Sequence, residues 1–421
     1  MKESILHYIW QQKLFTAHAL RTTEGEIVEV IDVGKLNQDA GPDFFNAKIR
    51  IGDTIWAGNI EIHTRASDWN KHNHQHDKAY DSIILHVVKF ADADIQRLAG
   101  EKIPQLELIY PAHIEENYEK LIRERKWIPC ADKIGNVPGI FIQSWKNALL
   151  TERLEQKMNA IQQLLAENNQ HWEEAFYITL ARSFGFSTNS QAFEMLAKSL
   201  PLSALGKHKN DLFQIEALLF GQSGLLNSEL TDEYSLKLKK EYDFLRAKFN
   251  LQPVNAEFWK LLRLRPDNFP HIRIAQFATL IHSSSKLFSR IIENPEIDYL
   301  NTIFKTEPSE YWKSHYLFGH TSPEKSKKLG KSSINSILIN TVVPFLFCYA
   351  HQKGNQDLKD KALALLEQIP AEKNSIVSDW ENIGMKIEAA YDSQAFIQLK
   401  KRYCDDKNCL RCRIGHKVLT I

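Results

Sequence analysis

The chain has 421 residues, a net charge of +1, 43% hydrophobic residues and 25% charged residues, the proportions of a globular protein long enough for two domains. Such an even balance excludes a global field that would draw the protein onto nucleic acid or an anionic membrane, and leaves only local basic grooves. Five cysteines, an odd number in so long a chain, argue against a secreted disulfide framework and leave metal binding or burial. We read no apolar run of membrane-spanning length and no apolar core of a signal peptide after Met1-Lys-Glu-Ser4. The expectation is therefore a cytoplasmic location without a membrane partner.

In chain order, Ile5, Leu6, Ile9, Trp10 and Leu14 stand at helical spacing, which predicts an opening amphipathic helix within Glu3 to Leu20. The period then changes to that of strands. Glu26 to Val33 is rich in β-branched residues and stops at Gly34; Phe44 to Ile51 and Thr54 to His63 follow, joined by a Gly52-Asp53 hairpin. Ser82 to Phe90 is nearly continuous in apolar residues, the pattern of a strand covered on both faces, and Pro104 to Ile109 adds a fifth candidate. Beyond Pro138 the strand signal disappears and amphipathic helical stripes follow one another, among them 211–220, 232–249, 272–282, 334–351 and 358–369. The predicted fold class is α+β: a mixed-sheet domain over 1–135 and a larger all-α domain over 136–421 that carries the C-terminal cysteines.

The densest chemistry lies between Asn37 and Val88. Residues two apart on a strand face the same way, so Glu61 and His63 project together, and the hairpin brings Asp43 toward Glu61. Two converging carboxylates make an oxygen-rich pocket suited to Mg²⁺ or Mn²⁺, which can activate water against a phosphodiester. The structural alternative is that Asp43 shapes a turn and Glu61 lies on a solvated sheet face. The loop Ser67-Asp-Trp-Asn-Lys-His-Asn-His-Gln-His-Asp77 adds His72 and His74 nearby, candidates with a carboxylate for a Zn²⁺ or Mn²⁺ site, or else plain turn residues. His86, inside an apolar strand, reads as a buried histidine or a further ligand.

Pro42-Asp43 followed by Glu61-Ile-His63, on a helix, strand, strand, strand order, resembles the PD-(D/E)XK signature of the restriction-endonuclease-like nucleases. That resemblance implies a nuclease-like fold, Asp43 and Glu61 as metal ligands, catalysis by Asp43, Glu61 and His63, and nucleic acid as partner. The sequence departs from the signature at the lysine, where His63 stands and supplies no permanent cation. Most of the chain also resembles an uncharacterised bacterial family of the DUF2851 type. The stretches that carry this likeness are Asn37 to Phe44, Gly58-Asn-Ile-Glu-Ile-His63, Ser67-Asp-Trp69, His72-Asn-His74, Leu85-His-Val-Val88, Gln214 to Gln222 and Arg265 to Pro270.

In the helical half, Cys404-x4-Cys409-x2-Cys412 could hold zinc or an iron–sulfur cluster, with His416, Cys130 or Cys348 as a fourth ligand, or be three reduced thiols about a turn. Arg265 and Arg273 flank a turn-rich stretch and are candidates for phosphate contact, or for capping helices and pairing with Glu216. The leading expectation is a metal-dependent nuclease. The alternatives are a non-catalytic module that keeps a nuclease-like fold for binding, and a zinc hydrolase built on the histidine loop.

Overall fold

The structure is a computed structural model and describes residues 3–97, 99–227 and 229–421. It has the predicted α+β class, and its contacts divide it into two units. The first comprises Met1–Trp145 together with Leu399–Ile421, the second Lys146–Gln398. The cysteine segment was expected with the helical half; it belongs instead to the sheet-bearing unit, because its partners there are distant in sequence.

The first unit opens with α1 (Glu3–Gln11), which buries Ile5, Leu6, Ile9 and Trp10. It ends before Leu14, so the predicted helix was too long; the backbone turns left-handed at Lys13 (φ 51°). Five strands pair in the order β1 (Val28–Asp32), β3 (Phe44–Ile51), β4 (Thr54–Arg65), β5 (Ile83–Phe90), β6 (Gln105–Glu107), and the short β2 (Lys35–Leu36) joins β3. β1, β3 and β4 are antiparallel neighbours, whereas β5 runs parallel to both β4 and β6. The six residues from Ile83 to Val88 are all buried, as expected of a strand covered on both faces. A helix absent from the sequence reading, α3 (Ala112–Arg123), follows the sheet.

β4 changes character along its length. Its first four residues are exposed, and Ile60 to His63 are all buried. Since alternate residues point to opposite faces, burial of Glu61 and His63 as well as Ile60 and Ile62 means that something covers the polar side too. The cover is the β4–β5 crossover. It begins with α2 (Asp68–Lys71), continues through two 3₁₀ turns, His74–His76 and Lys78–Tyr80, and is anchored by Trp69 and Tyr80 in a cluster with Ile83, Ile95 and Ile103.

The second unit is helical, with one correction to the expectation of helix alone: His315–Leu317 and His320–Thr321 form a small antiparallel pair. Trp172 and Phe176 stack on Phe288, and Phe345 meets Phe176 edge-on. Among the described residues, one helical run, Lys331–Lys353, is long and apolar enough to cross a membrane, and 72% of its apolar window is buried inside the protein. The expectation was an amphipathic helix over 334–351 and no run of membrane-spanning length. Pro344 has no N–H to donate, and a π turn over Leu338–Val342 absorbs the irregularity just before it.

Candidate metal centre

The loop before β3 is shaped by Asn37, whose side-chain N–H groups donate to the carbonyls of Asp39, Ala40 and Pro42 at 3.0, 3.3 and 3.1 Å. Its backbone N–H donates to the Asp43 carbonyl at 2.7 Å. This places Asp43 against β4. The Asp43 N–H donates to Glu61 Oε2 at 3.1 Å, and Asp43 Oδ2 accepts from the Ile62 N–H at 2.9 Å. The two carboxyls are therefore side by side, each held by the other strand's backbone.

On the same face, His63 Nε2 lies 3.6 Å and His74 Nε2 3.4 Å from Glu61 Oε1, while His63 Nε2 is 3.1 Å from His72 Nδ1. The ligating atoms of His63, His72 and His74 all fall within 4.8 Å of one another. Local geometry explains how the loop delivers them. Trp69 is 1% exposed and pins α2, and Asn73 adopts a left-handed φ of 59° that reverses the chain between the two histidines. His74 then stacks on Tyr80 at 3.9 Å. His63 is buried, His74 half-buried and His72 exposed, so the cluster opens to solvent at His72.

Behind His63 the chain of contacts continues. His63 Nδ1 is 2.8 Å from His86 Nε2, and His86 stands opposite Gln105 in the β5–β6 register. His86 Nδ1 and Gln105 Oε1 are both buried without a hydrogen-bond partner of good geometry. In front, α1 contributes His7, whose Nε2 is 3.2 Å from Asp43 Oδ2. The sequence carried no signal for His7, since nothing local links that helix position to residues on β3.

Burial, with the Asp43 charge beside it, pushes the Glu61 carboxyl up to about 9, although the Asp43 N–H works the other way. Burial and the surrounding imidazoles of His86, His74, His72 and His7 push His63 down to about 2. Burial also lowers His74, and takes His86 down to about 3 against the opposing influence of Gln105. The Glu61–His63 contact is thus no ion pair, because both groups are driven neutral. A divalent cation would suit both, stabilising a carboxylate while using the lone pair of a neutral imidazole. His7 behaves differently: burial opposes its charge, but hydrogen bonding and attraction to Asp43 outweigh that and hold it above the ordinary histidine value.

The structure thus gathers Asp43, Glu61, His63, His72 and His74 at one place. Arg265 and Arg273 belong to the second unit. There Arg273 is 6% exposed, donates to Gln276 Oε1 at 2.9 Å and stacks over Phe186 at 4.5 Å, while Arg265 is exposed ahead of a 3₁₀ turn over Pro266–Asn268. Neither pairs with Glu216, whose partners are hydroxyls of Tyr234 and Ser309.

These features define an α+β protein whose mixed-sheet unit presents a histidine–carboxylate cluster. Residues 3–375 match the family described as "Protein of unknown function (DUF2851)", and the chain belongs to that family. No curated protein and no solved structure matches it.

Proposed function

We propose that the protein is a metal-dependent phosphodiesterase acting on nucleic acid, with its metal held by Glu61, His63, His72 and His74 and with Asp43 alongside. The observation that supports this is the convergence of three imidazole nitrogens within 4.8 Å of one another on the carboxylate pair of the Pro42-Asp43 and Glu61-Ile-His63 segments. His74 Nε2 is buried with no hydrogen-bond partner, which is costly unless a cation occupies its lone pair. Three imidazoles beside carboxylates favour Mn²⁺ or Zn²⁺ over the all-oxygen surroundings of Mg²⁺. Such a cation, when bound, polarises a phosphoryl oxygen and acidifies water. The choice of a phosphodiester rests on the resemblance to the PD-(D/E)XK signature.

The chain's own residues divide the remaining work. His63 stands at the signature's lysine position but would serve as a neutral ligand, and His86 behind it holds Nδ1 so that Nε2 is turned toward His72 and Glu61, which would share the metal. His7, beside Asp43, is the ring able to carry a proton at the site, the role a lysine would otherwise fill. We place the activity in the cytoplasm, where the five unpaired cysteines stay reduced.

The test is hydrolysis of single- and double-stranded DNA and RNA with Mn²⁺ or Zn²⁺ supplied. The expected result is cleavage that falls by at least about 100-fold in Asp43→Ala and Glu61→Ala, beyond the loss typical of outer-shell partners. No cleavage with either metal, or rates unchanged in both variants, overturns the proposal. The three-imidazole set also supports a second reading, a zinc hydrolase of another ester or amide substrate. Stoichiometric zinc that disappears in His72→Ala and His74→Ala, without nucleic-acid cleavage, selects it. Binding of nucleic acid with neither metal nor cleavage points to a non-catalytic module.

A further inference from the structure

Four of the five cysteines come together in the first unit, drawn from two distant stretches of chain. Cys130 sits in a turn after α3, where its carbonyl accepts the N–H groups of Lys133 and Ile134 at 3.0 and 2.9 Å. Cys404 ends a π turn over Lys400–Cys404. The backbone then reverses at Lys407 (φ 53°), whose ammonium donates to the Ile122 carbonyl and, at 2.8 Å, to the Glu124 carbonyl beside the end of α3. Cys409 opens a 3₁₀ turn and Cys412 caps the helix Arg413–Thr420.

The last two cysteines form a tight knuckle. The Cys412 N–H donates to the Cys409 carbonyl at 3.2 Å, and a Cβ on Gly415 would stand 2.1 Å from that same carbonyl; only glycine fits there. Burial raises the Cys412 thiol, while the backbone N–H groups of Gly415 and Ile414 and the Trp145 indole work the other way. Trp145 is 8% exposed, and its Nε1 is otherwise buried without a partner. None of the cysteines is in a disulfide. Burial and the charges of its neighbours, Cys130, Cys412 and Cys409, push the Cys404 thiol up, and burial with Cys412 and Cys409 takes Cys130 up to about 12. Of the other candidates for a fourth ligand, Cys348 lies in the second unit, buried in the helix Val343–Lys353. His416 has its Nδ1 engaged by the Tyr8 hydroxyl at 2.5 Å, and the four cysteines make a complete set without its Nε2.

We propose that Cys130, Cys404, Cys409 and Cys412 ligate a thiophilic metal centre that fastens residues 399–421 to the turn after α3. Four neighbouring thiols, three on buried cysteines and that of Cys404 half-buried, with N–H groups directed at Cys412, are the surroundings of a tetrathiolate site. No three of the sulfurs reach the 4.8 Å grouping met by the histidines; an iron–sulfur cluster spans that wider spacing, whereas a single zinc would have to draw the sulfurs in to bonds of about 2.3 Å. The role is structural: the metal would replace thiol protons and convert mutual repulsion into ligation, which couples its binding to folding.

The test uses the full chain, purified without oxygen after growth with zinc and iron supplied. Metal and acid-labile sulfide are counted, and X-ray absorption is recorded at the edge of the metal found. Zinc with a first shell of sulfur at about 2.3 Å, or iron with matching sulfide and visible absorption, is expected. That metal should be lost in Cys130→Ser and in Cys409→Ser, retained in Cys348→Ser, and retained in His72→Ala/His74→Ala, which removes any ion at the histidine cluster. Should the serine variants be insoluble, the wild-type absorption spectrum decides. A chain without zinc or iron, a first shell of nitrogen and oxygen alone, or a metal that survives Cys130→Ser overturns the proposal.

Discussion

Glu61 and Glu216 are both nearly enclosed, at 4% and 1% exposure, yet their neighbours give them different chemistry. Glu61 faces imidazole nitrogens and another carboxyl, surroundings that call for a cation. Glu216 faces donors: the hydroxyl of Tyr234, and that of Ser309 at 2.9 Å. Burial pushes Glu216 up to about 7 from 4.5, with those hydroxyls working against the rise. Between these two values the folded chain keeps a proton that the unfolded chain has released. Stability should therefore be fully present below pH about 4.5 and fall as pH rises toward about 7, by roughly 3 kcal/mol from this group at 1.36 kcal/mol per unit. Glu216→Gln should remove that component. Urea midpoints of the wild type and the variant at pH 5 and pH 8 check it: the gap between the two proteins must change with pH, and a constant gap sinks the assignment. Neither partner of Glu216 was legible in the sequence, because Tyr234 and Ser309 lie on elements that meet it only after folding. Asp43 and Glu61 were legible as a pair, since a short hairpin sets β3 against β4, but the register shift between Phe44 and Ala47, just after Asp43, was not.

At the scale of elements, β3, β4 and β5 follow the sequence pattern closely because alternation and apolar runs report burial directly. The β4–β5 crossover does not. Its 3₁₀ turns depend on Trp69 and Tyr80 reaching a common apolar cluster, a long-range event without periodicity, and only its histidine content marked it. The seam between β4 and β5 also carries a steric requirement that composition hides. Gly58 stands just before the register shift at Asn59/Ile60, and a Cβ there would lie 2.5 Å from Ile84 Cγ2 and 2.7 Å from the Ser82 carbonyl. A backbone oxygen cannot swing aside as the tip of a flexible side chain can. Gly58→Ala should thus pry the parallel pair apart and cost about 1–3 kcal/mol, the range of overpacking. Because Glu61 and His63 follow on the same strand, affinity for the metal proposed at the histidine cluster should weaken together with thermal stability. An unchanged melting temperature in Gly58→Ala would show that the seam has slack the structure does not display.

For the molecule as a whole, the sequence divides near Pro138 into a sheet half and a helical half, and the folded chain is not partitioned so simply. Residues 399–421 return to the first unit. The periodicity of an eight-residue helix tells which face is apolar but never which distant surface it meets. Here Ile414, Val418 and Leu419, at 1%, 1% and 0% exposure, are the apolar face of the helix Arg413–Thr420, and the buried Asn117 of α3 donates to the Leu419 carbonyl at 3.2 Å. Burying three such side chains contributes roughly 5 kcal/mol, comparable to the net stability of a small domain. A chain truncated after Gln398 should therefore lose the first unit selectively, even though every strand of the sheet remains in it. Hydrogen exchange read by peptide separates the possibilities. Protection should collapse across α1, α3 and the sheet, while peptides of 146–398 change little. If 1–145 keep wild-type protection in the truncated chain, segment 399–421 is an appendage, and the cysteine centre proposed above has no fold to hold together.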